Sequence, residues 1–338
     1  MEEMNTKSKL KNKKVLVTGG CGFIGFNLIQ DLLEEGAKIT VLDLPESDWG
    51  RLPDGVLQIK ANILFKSEMK NRLKDFNVIY HLAARTDLNG KSVSEYSENY
   101  IGTQNILEEI STNVLERFVF YSTILVNGIF NNDSYITEVD SYKTNTHYGE
   151  SKVLGEKVVM QYCKKNDVDY TIIRPASIYG PWGESPYSEF FHTIKQGRYF
   201  HVGKADNLVA WCYVKNLTGF TIKASVSEKA KNEIFYGTDQ KPYSMREIVD
   251  QISGFYKIKI YTIPSFIMTV AAYFFGLFKK VGINVPIYPS RLRNIKATYR
   301  YSMQKSFIIG YTQKYNLRQG VEETLRWYEK NGYRARKY

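Results

Sequence analysis

Thr18-Gly19-Gly20-Cys21-Gly22-Phe23-Ile24-Gly25 sits between the apolar run Val15-Leu16-Val17 and the segment Phe26-Asn27-Leu28-Ile29-Gln30-Asp31-Leu32-Leu33, whose apolar spacing is helical and stops near Gly36. A strand, a glycine turn and a helix in that order are the context a dinucleotide-binding fingerprint requires. The glycines read as Gly20-x-Gly22-x-x-Gly25 or as Gly19-x-x-Gly22-x-x-Gly25. In either register they permit a tight turn and let a pyrophosphate settle on a helix N-terminus. The next apolar run, Lys38-Ile39-Thr40-Val41-Leu42-Asp43, ends in a carboxylate, at the spacing of about 20 residues that ribose recognition needs. NAD is therefore the expected cofactor, with Asp43 accepting from the adenosine 2′-hydroxyl. NADP is disfavoured, because Asp43 would repel a 2′-phosphate and Leu44-Pro45 supply no adjacent cation.

A second stretch, Tyr148-Gly149-Glu150-Ser151-Lys152, places a phenol and an ammonium four residues apart. On a helix such residues share a face, so Lys152 can stabilise the Tyr148 phenolate and turn a group of ordinary pKa about 10 into a base usable near neutrality. Together the two stretches point to hydride-transfer chemistry.

Length and composition bound the rest. The 338 residues suit two lobes, or one α/β domain with an appended cap. The net charge of +11 reads as lying largely in solvated ends: Lys7, Lys9, Lys11, Lys13 and Lys14 at one, Arg334, Arg336 and Lys337 at the other. No nucleic-acid-binding motif accompanies it. Three separated cysteines, Cys21, Cys163 and Cys212, fit a reducing, cytoplasmic compartment. His81, His147, His192 and His201 form no metal-ligand pattern, so no metal is expected. The lysine-rich N-terminus has no apolar core of a signal peptide.

Strand patterns near 14–18, 38–43, 56–60, 77–82, 117–122 and 170–174 alternate with helical ones. This predicts an α/β fold, a doubly wound parallel sheet with a smaller C-terminal substrate-binding lobe. Residues 1–176 form the expected dinucleotide-binding domain, completed by strands within 207–238, where Val209–Val214 and Ile234–Gly237 should return to the sheet. Residues 177–206 and 239–338 are assigned to the lobe. Within it, Ile263 to Phe278 is uncharged and closed by Lys279-Lys280. It falls short of the ~20 residues that span a bilayer, and is expected to be a helix packing its apolar face on the protein or on a second subunit. Contact with a membrane is not favoured.

Further motifs follow in order: Asn62-Ile63, His81-Leu82-Ala83-Ala84, Asn99-x-x-Gly102-Thr103-x-Asn105, Ser122-Thr123, Arg174-Pro175, Tyr179-Gly180-Pro181 and Tyr213-Val214-x-Asn216. With the two stretches above they resemble the extended short-chain dehydrogenase/reductase family, its NAD-dependent epimerase/dehydratase group. The resemblance implies that Tyr148 is the acid/base, that Lys152 holds the nicotinamide ribose, and that Thr123 hydrogen-bonds the reacting oxygen. It places Gly19, Gly22, Phe23, Ile24, Gly25, Asp43, Asn62, Ile63, Leu82, Ala83, Ala84, Asn99, Tyr148, Lys152 and Pro175 around the cofactor. Asn62 stands where the family usually has Asp for the adenine amino group. His81 reads as a packed strand-end histidine.

Departures narrow the chemistry. Ile124-Leu125 follow Thr123, where sugar-nucleotide dehydratases carry an acidic pair and 3,5-epimerases a cysteine, so oxidation/reduction or 4-epimerisation remains. Ser177 and Val209 stand where the family's diphosphate-binding Asn and Arg are usual. Substitute diphosphate contacts are sought in Arg85, Lys91, Arg198 and Lys204, with Lys195, Arg246 and Arg291 as further cations, and Ser177 and Trp211 complete the expected substrate residues. The expected function is hydride transfer on a nucleotide-linked or glycan-pathway sugar, in a homodimer. Asn207-Leu208-Val209 and Tyr301-Ser302-x-x-Lys305 instead resemble the 3β-hydroxysteroid dehydrogenase branch, and imply an apolar secondary alcohol. That substrate would be enclosed by Phe190, Phe191 and Trp211. A non-catalytic nucleotide sensor is a further alternative, against which Thr123, Tyr148 and Lys152 count.

Overall fold

The computed structural model describes residues 8–128, 135–184, 186–280, 285 and 288–333; Lys7, Arg334, Arg336 and Lys337 of the basic ends lie outside them. Strands β1 (Lys14–Thr18), β2 (Lys38–Asp43), β3 (Leu57–Lys60), β4 (Val78–His81), β5 (Arg117–Tyr121) and β6 (Tyr170–Pro175) alternate with helices α1 (Phe23–Glu34), α2 (Lys66–Met69), α3 (Ile101–Glu109) and α4 (His147–Asn166). The chain continues through strands β7 (Ser177–Tyr179), β8 (Phe200–Val202), β9 (Leu208–Val209), β10 (Trp211–Tyr213), β11 (Glu233–Gly237), β12 (Tyr243–Ser244) and β13 (Tyr261–Ile263). Helices α5 (Tyr187–Lys195), α6 (Val214–Ser225), α7 (Met245–Tyr256), α8 (Ser265–Lys280), α9 (Pro289–Ile295), α10 (Gln304–Ile308) and α11 (Leu317–Asn331) complete it.

Seven strands form one sheet in the order β11-β6-β5-β4-β1-β2-β3, all its pairs parallel. Neighbouring side chains alternate between faces, so Val15 and Val17 enter one core with Leu28 and Ile29, while Leu16 enters another with Ile79 and Phe118. The order reverses between β1 and β4, and a doubly wound sheet opens its crevice at that switch point.

Two expectations need correction, and that for the helix after Pro264 is met within the chain on one side only. Of the two segments assigned to the sheet after residue 207, only Glu233–Gly237 joins it, beside β6. Trp211–Tyr213 pairs in parallel with Ser177–Tyr179 in a separate ribbon, because β11 already occupies the edge of β6 and Trp211 is buried among Tyr179, Phe190 and Phe191. The basic N-terminal residues are not all free ends: Lys9 donates to the Val226 carbonyl and Lys13 pairs with Glu116. Helix α8 packs only one side, through Met268 and Ala272 against Leu292, and leaves Phe266, Val270, Tyr273 and Leu277 exposed. Among the described residues no helix is long and apolar enough to cross a membrane.

Helix α4 is tied to the sheet by a buried ion pair. Arg174 Nε donates to Glu156 Oε1 at 2.9 Å and Nη2 to Oε2 at 2.8 Å, with both side chains essentially inaccessible. The same carboxylate accepts from the Ser122 and Tyr142 hydroxyls, and Arg174 Nη1 donates to Asn127 Oδ1. Removing one partner of such a pair leaves an uncompensated buried charge, so Arg174→Met is expected to cost about 3–5 kcal/mol. Adding Glu156→Leu should recover most of that loss. Urea unfolding of the two variants checks this, and equal losses in the single and double variants would mean that packing, not charge, is what the pair supplies.

Candidate active site

Helix α1 begins at the glycine turn because its third glycine has no room for a side chain: a Cβ at Gly25 would lie 2.3 Å from the Gly19 carbonyl oxygen. Gly22 caps the helix with extended backbone, exposed and without a side-chain cap, so the first amide groups of α1 face outward as an anion site. Asp43, at the end of β2, clasps this turn. Its Oδ2 accepts from Cys21 N at 2.9 Å, and its Oδ1 from Leu44 N and Ser47 Oγ. Carboxylate oxygens have further lone pairs for a ribose diol.

Leu82, Ala83 and Ala84 leave β4 half-buried at the same end of the sheet, held by Ala83 N to Thr18 Oγ1 at 3.1 Å. His81 is buried between the Thr18 and Thr103 hydroxyls, and burial, aided by Lys152, pushes its pKa down to about 3. It is a neutral packing residue. The open helix N-terminus, the carboxylate and the small residues beside them form a donor and acceptor set that fits NAD.

Other residues assigned to the cofactor have structural partners as well. Asn62 Oδ1 accepts from Leu64 N, while the Ile63 side chain is buried against Gly102. Asn99 is fully buried and bonds Arg85 N, Arg85 O and Ser151 Oγ, so it braces the loop after β4. Pro175 ends β6 opposite Gly237.

The residues expected to be catalytic lie where α4 meets the loop after β5. Thr123, buried, caps the 3-10 turn Ile124–Asn127 and accepts from Leu125 N. The N-terminus of α4 lies directly on that turn, since a Cβ at Gly149 would stand 2.9 Å from the Leu125 carbonyl oxygen and 2.1 Å from Thr144 Oγ1. Thr146 caps the helix through Gly149 N. Tyr148 is buried against the Tyr96 ring, and one turn on, Lys152 is buried too, its Nζ donating to the Tyr121 carbonyl at 2.8 Å. Burial pushes the Lys152 pKa from 10.5 down to about 7, against the opposing pull of Glu156.

Tyr148, Lys152 and Glu156 thus lie at i, i+4 and i+8 on one helix face. Glu156 was not singled out from the sequence; the signals were its spacing from Lys152 and an arginine inside the otherwise apolar β6. Arg51 was missed too: it reaches the Cys21 carbonyl and lies over Trp182, beside Asp48.

The expected substrate residues are dispersed. Arg85 is engaged within its own loop, paired with Asp87 at 2.7 Å and stacked on Tyr96, which counts against a diphosphate clamp there. Lys195 pairs with Glu329. Arg198 and Lys204 are exposed at either end of β8, and Arg291 is exposed on α9. Arg246 Nε donates to the Lys204 carbonyl, which brings those two residues together. Ser177 pairs with Trp211 across the ribbon, and Trp211 belongs to a buried aromatic cluster.

A lysine whose folded pKa lies below its unfolded value leaves the folded chain with fewer protons between the two, so its contribution to stability rises with pH across that window. For Lys152 the window runs from about 7 to 10.5. The melting temperature of wild type relative to Lys152→Met should therefore climb between about pH 6 and about pH 9.5. A flat difference in calorimetry would show that Lys152 is charged in the folded chain at neutral pH.

Comparison with known proteins gives the family and the fold. Residues 15–235 match the model of the NAD dependent epimerase/dehydratase family. The chain is 26% identical over 323 residues to the N-acetyl-alpha-D-glucosaminyl-diphospho-ditrans,octacis-undecaprenol 4-epimerase of Escherichia coli O157:H7, covering 94% of this chain and 95% of that protein. It is 28% identical over 348 residues to the 3beta-hydroxysteroid-dehydrogenase/decarboxylase isoform 2 of Arabidopsis thaliana, covering 92% of this chain but spanning only 61% of that longer protein. The NAD complex of UDP-glucose 4-epimerase from Thermus thermophilus shares the fold, with a TM-score of 0.73 at 20% identity over 94% of this chain and 99% of that one.

Proposed function

The chain belongs to the NAD dependent epimerase/dehydratase family, and within it we propose that it oxidises and reduces a secondary alcohol of a diphosphate-linked sugar, as a 4-epimerase or a dehydrogenase. The observation that supports this reading is the seating of the N-terminus of α4 on the Thr123 turn, with Tyr148, Lys152 and Thr123 all buried. When bound, NAD supplies the hydride acceptor and, reduced, the donor. The Tyr148 phenolate takes the proton of the substrate hydroxyl as the hydride departs, and returns it on reduction. The Thr123 hydroxyl donates to the same oxygen and stabilises its developing charge. Lys152, buried one turn away, favours the phenolate over the phenol when it carries its proton, a form that the phenolate itself and the ribose hydroxyls stabilise. Ile124 and Leu125 next to Thr123 supply neither acid nor base, so the chemistry stops at hydride and proton transfer without loss of water.

For the sugar, the support is the near full-length match to a relative named as a diphospho-linked sugar epimerase. A second reading, oxidation of an apolar alcohol, draws on the likeness to a relative named as a 3beta-hydroxysteroid-dehydrogenase/decarboxylase. A thermal-shift screen in the presence of NAD separates them. A rise with UDP-, GDP- or dTDP-sugars is expected, and a response to steroids alone would remove the sugar reading.

Tyr148→Phe deletes only the proton-carrying oxygen, so turnover should fall by ~10²–10⁴-fold with NAD affinity nearly unchanged. Near-normal turnover, measured beside calorimetric NAD binding, would exclude Tyr148 as the acid/base.

A further inference from the structure

Helix α8 carries seven exposed apolar side chains: Phe266, Ile267, Val270, Tyr273, Phe274, Leu277 and Phe278. On a helical wheel they fill one unbroken arc of about 140°, opposite the Met268 and Ala272 side that packs on Leu292. Exposed apolar surface of this size and continuity marks a binding face. The stripe from Phe266 to Phe278 is about 18 Å long, and the helix has 16 residues, too few to cross a bilayer but suited to lying along one.

Charge tells what covers it. From Gln251 to Val321 the sequence holds no acidic residue and eleven basic ones, as many as the net charge of +11 of the whole chain. The excess is therefore centred on this segment rather than on the termini. On α9, Arg291 and Arg293 are exposed, as is Lys296 just after it, and Arg293 and Lys296 share with Tyr273 of the stripe a cleft of about 180 Å³ between α8 and the α9 segment. Cations thus border the apolar face directly. A second copy docked on this face would bring two such basic segments together, and like-charge juxtaposition opposes association. An anionic lipid surface instead satisfies both the stripe and its rim.

We propose that α8 lies in the interface of an anionic phospholipid bilayer, with its apolar arc among the acyl chains and the α9 cations on the headgroup phosphates, holding the protein on a membrane surface. This reverses the preference drawn from the sequence and does not depend on which alcohol is oxidised.

Flotation of the full-length protein with vesicles tests it. Vesicles of phosphatidylcholine mixed with phosphatidylglycerol should bind the protein at least on the order of tenfold more strongly than phosphatidylcholine alone. Val270→Ser/Phe274→Ser/Leu277→Ser, all at exposed positions, should reduce binding to background while NAD binding and melting temperature hold. Arg293→Gln/Lys296→Gln should lower binding to the anionic vesicles alone, and gives an independent readout if the triple variant misfolds. The proposal fails if wild type ignores anionic vesicles, if both variants bind as wild type does, or if the serine variant turns a dimer into a monomer in sedimentation, which would assign the face to a second copy.

Discussion

One buried bidentate pair, Arg174 with Glu156, joins the helix that carries Tyr148 and Lys152 to the sheet. Burying two charges costs desolvation that their attraction only partly offsets, so such a pair is weak evidence for stability. Its value here is positional. Glu156 stands two helical turns from Tyr148 and one from Lys152, and accepts from Ser122, the neighbour of Thr123. Arg174 in turn reaches Asn127 at the end of the turn Thr123 begins. Helix, strand and turn thereby share one network, and a displacement of any of them must break hydrogen bonds to a charged group.

The same economy governs the cofactor end. The glycine turn is held by the carboxylate of Asp43 as well as by its own tight packing, so the group suited to a ribose also sets the turn that faces a pyrophosphate. Lys152 is the site's strained element. It is buried, bonded to the Tyr121 carbonyl and driven toward its neutral form, an arrangement that arrival of ribose hydroxyls and a phenolate would relieve.

What was legible in the sequence was local. The glycine turn, Asp43 and the Tyr148/Lys152 spacing are short-range patterns whose meaning follows from helix and strand geometry, and the parallel sheet followed from the alternation of apolar runs. What escaped was tertiary. Nothing in the spacing of Trp211–Tyr213 says that β11 has already taken the sheet edge. Arg85 reads as a free cation until its loop folds Asp87 and Tyr96 onto it. The apolar run of α8 reads as core, because periodicity reveals an apolar arc and not whether a neighbour covers it.

The central claim is that Lys152 is poised to serve the cofactor and Tyr148 together, and a crystal structure of the NAD complex tests it most directly. The pyrophosphate is expected against the amides following Gly22, and the Lys152 amine turned from the Tyr121 carbonyl to the nicotinamide ribose, within hydrogen-bond reach. A bound NAD with Lys152 still on Tyr121, or with its nicotinamide remote from Tyr148 and Thr123, would contradict it.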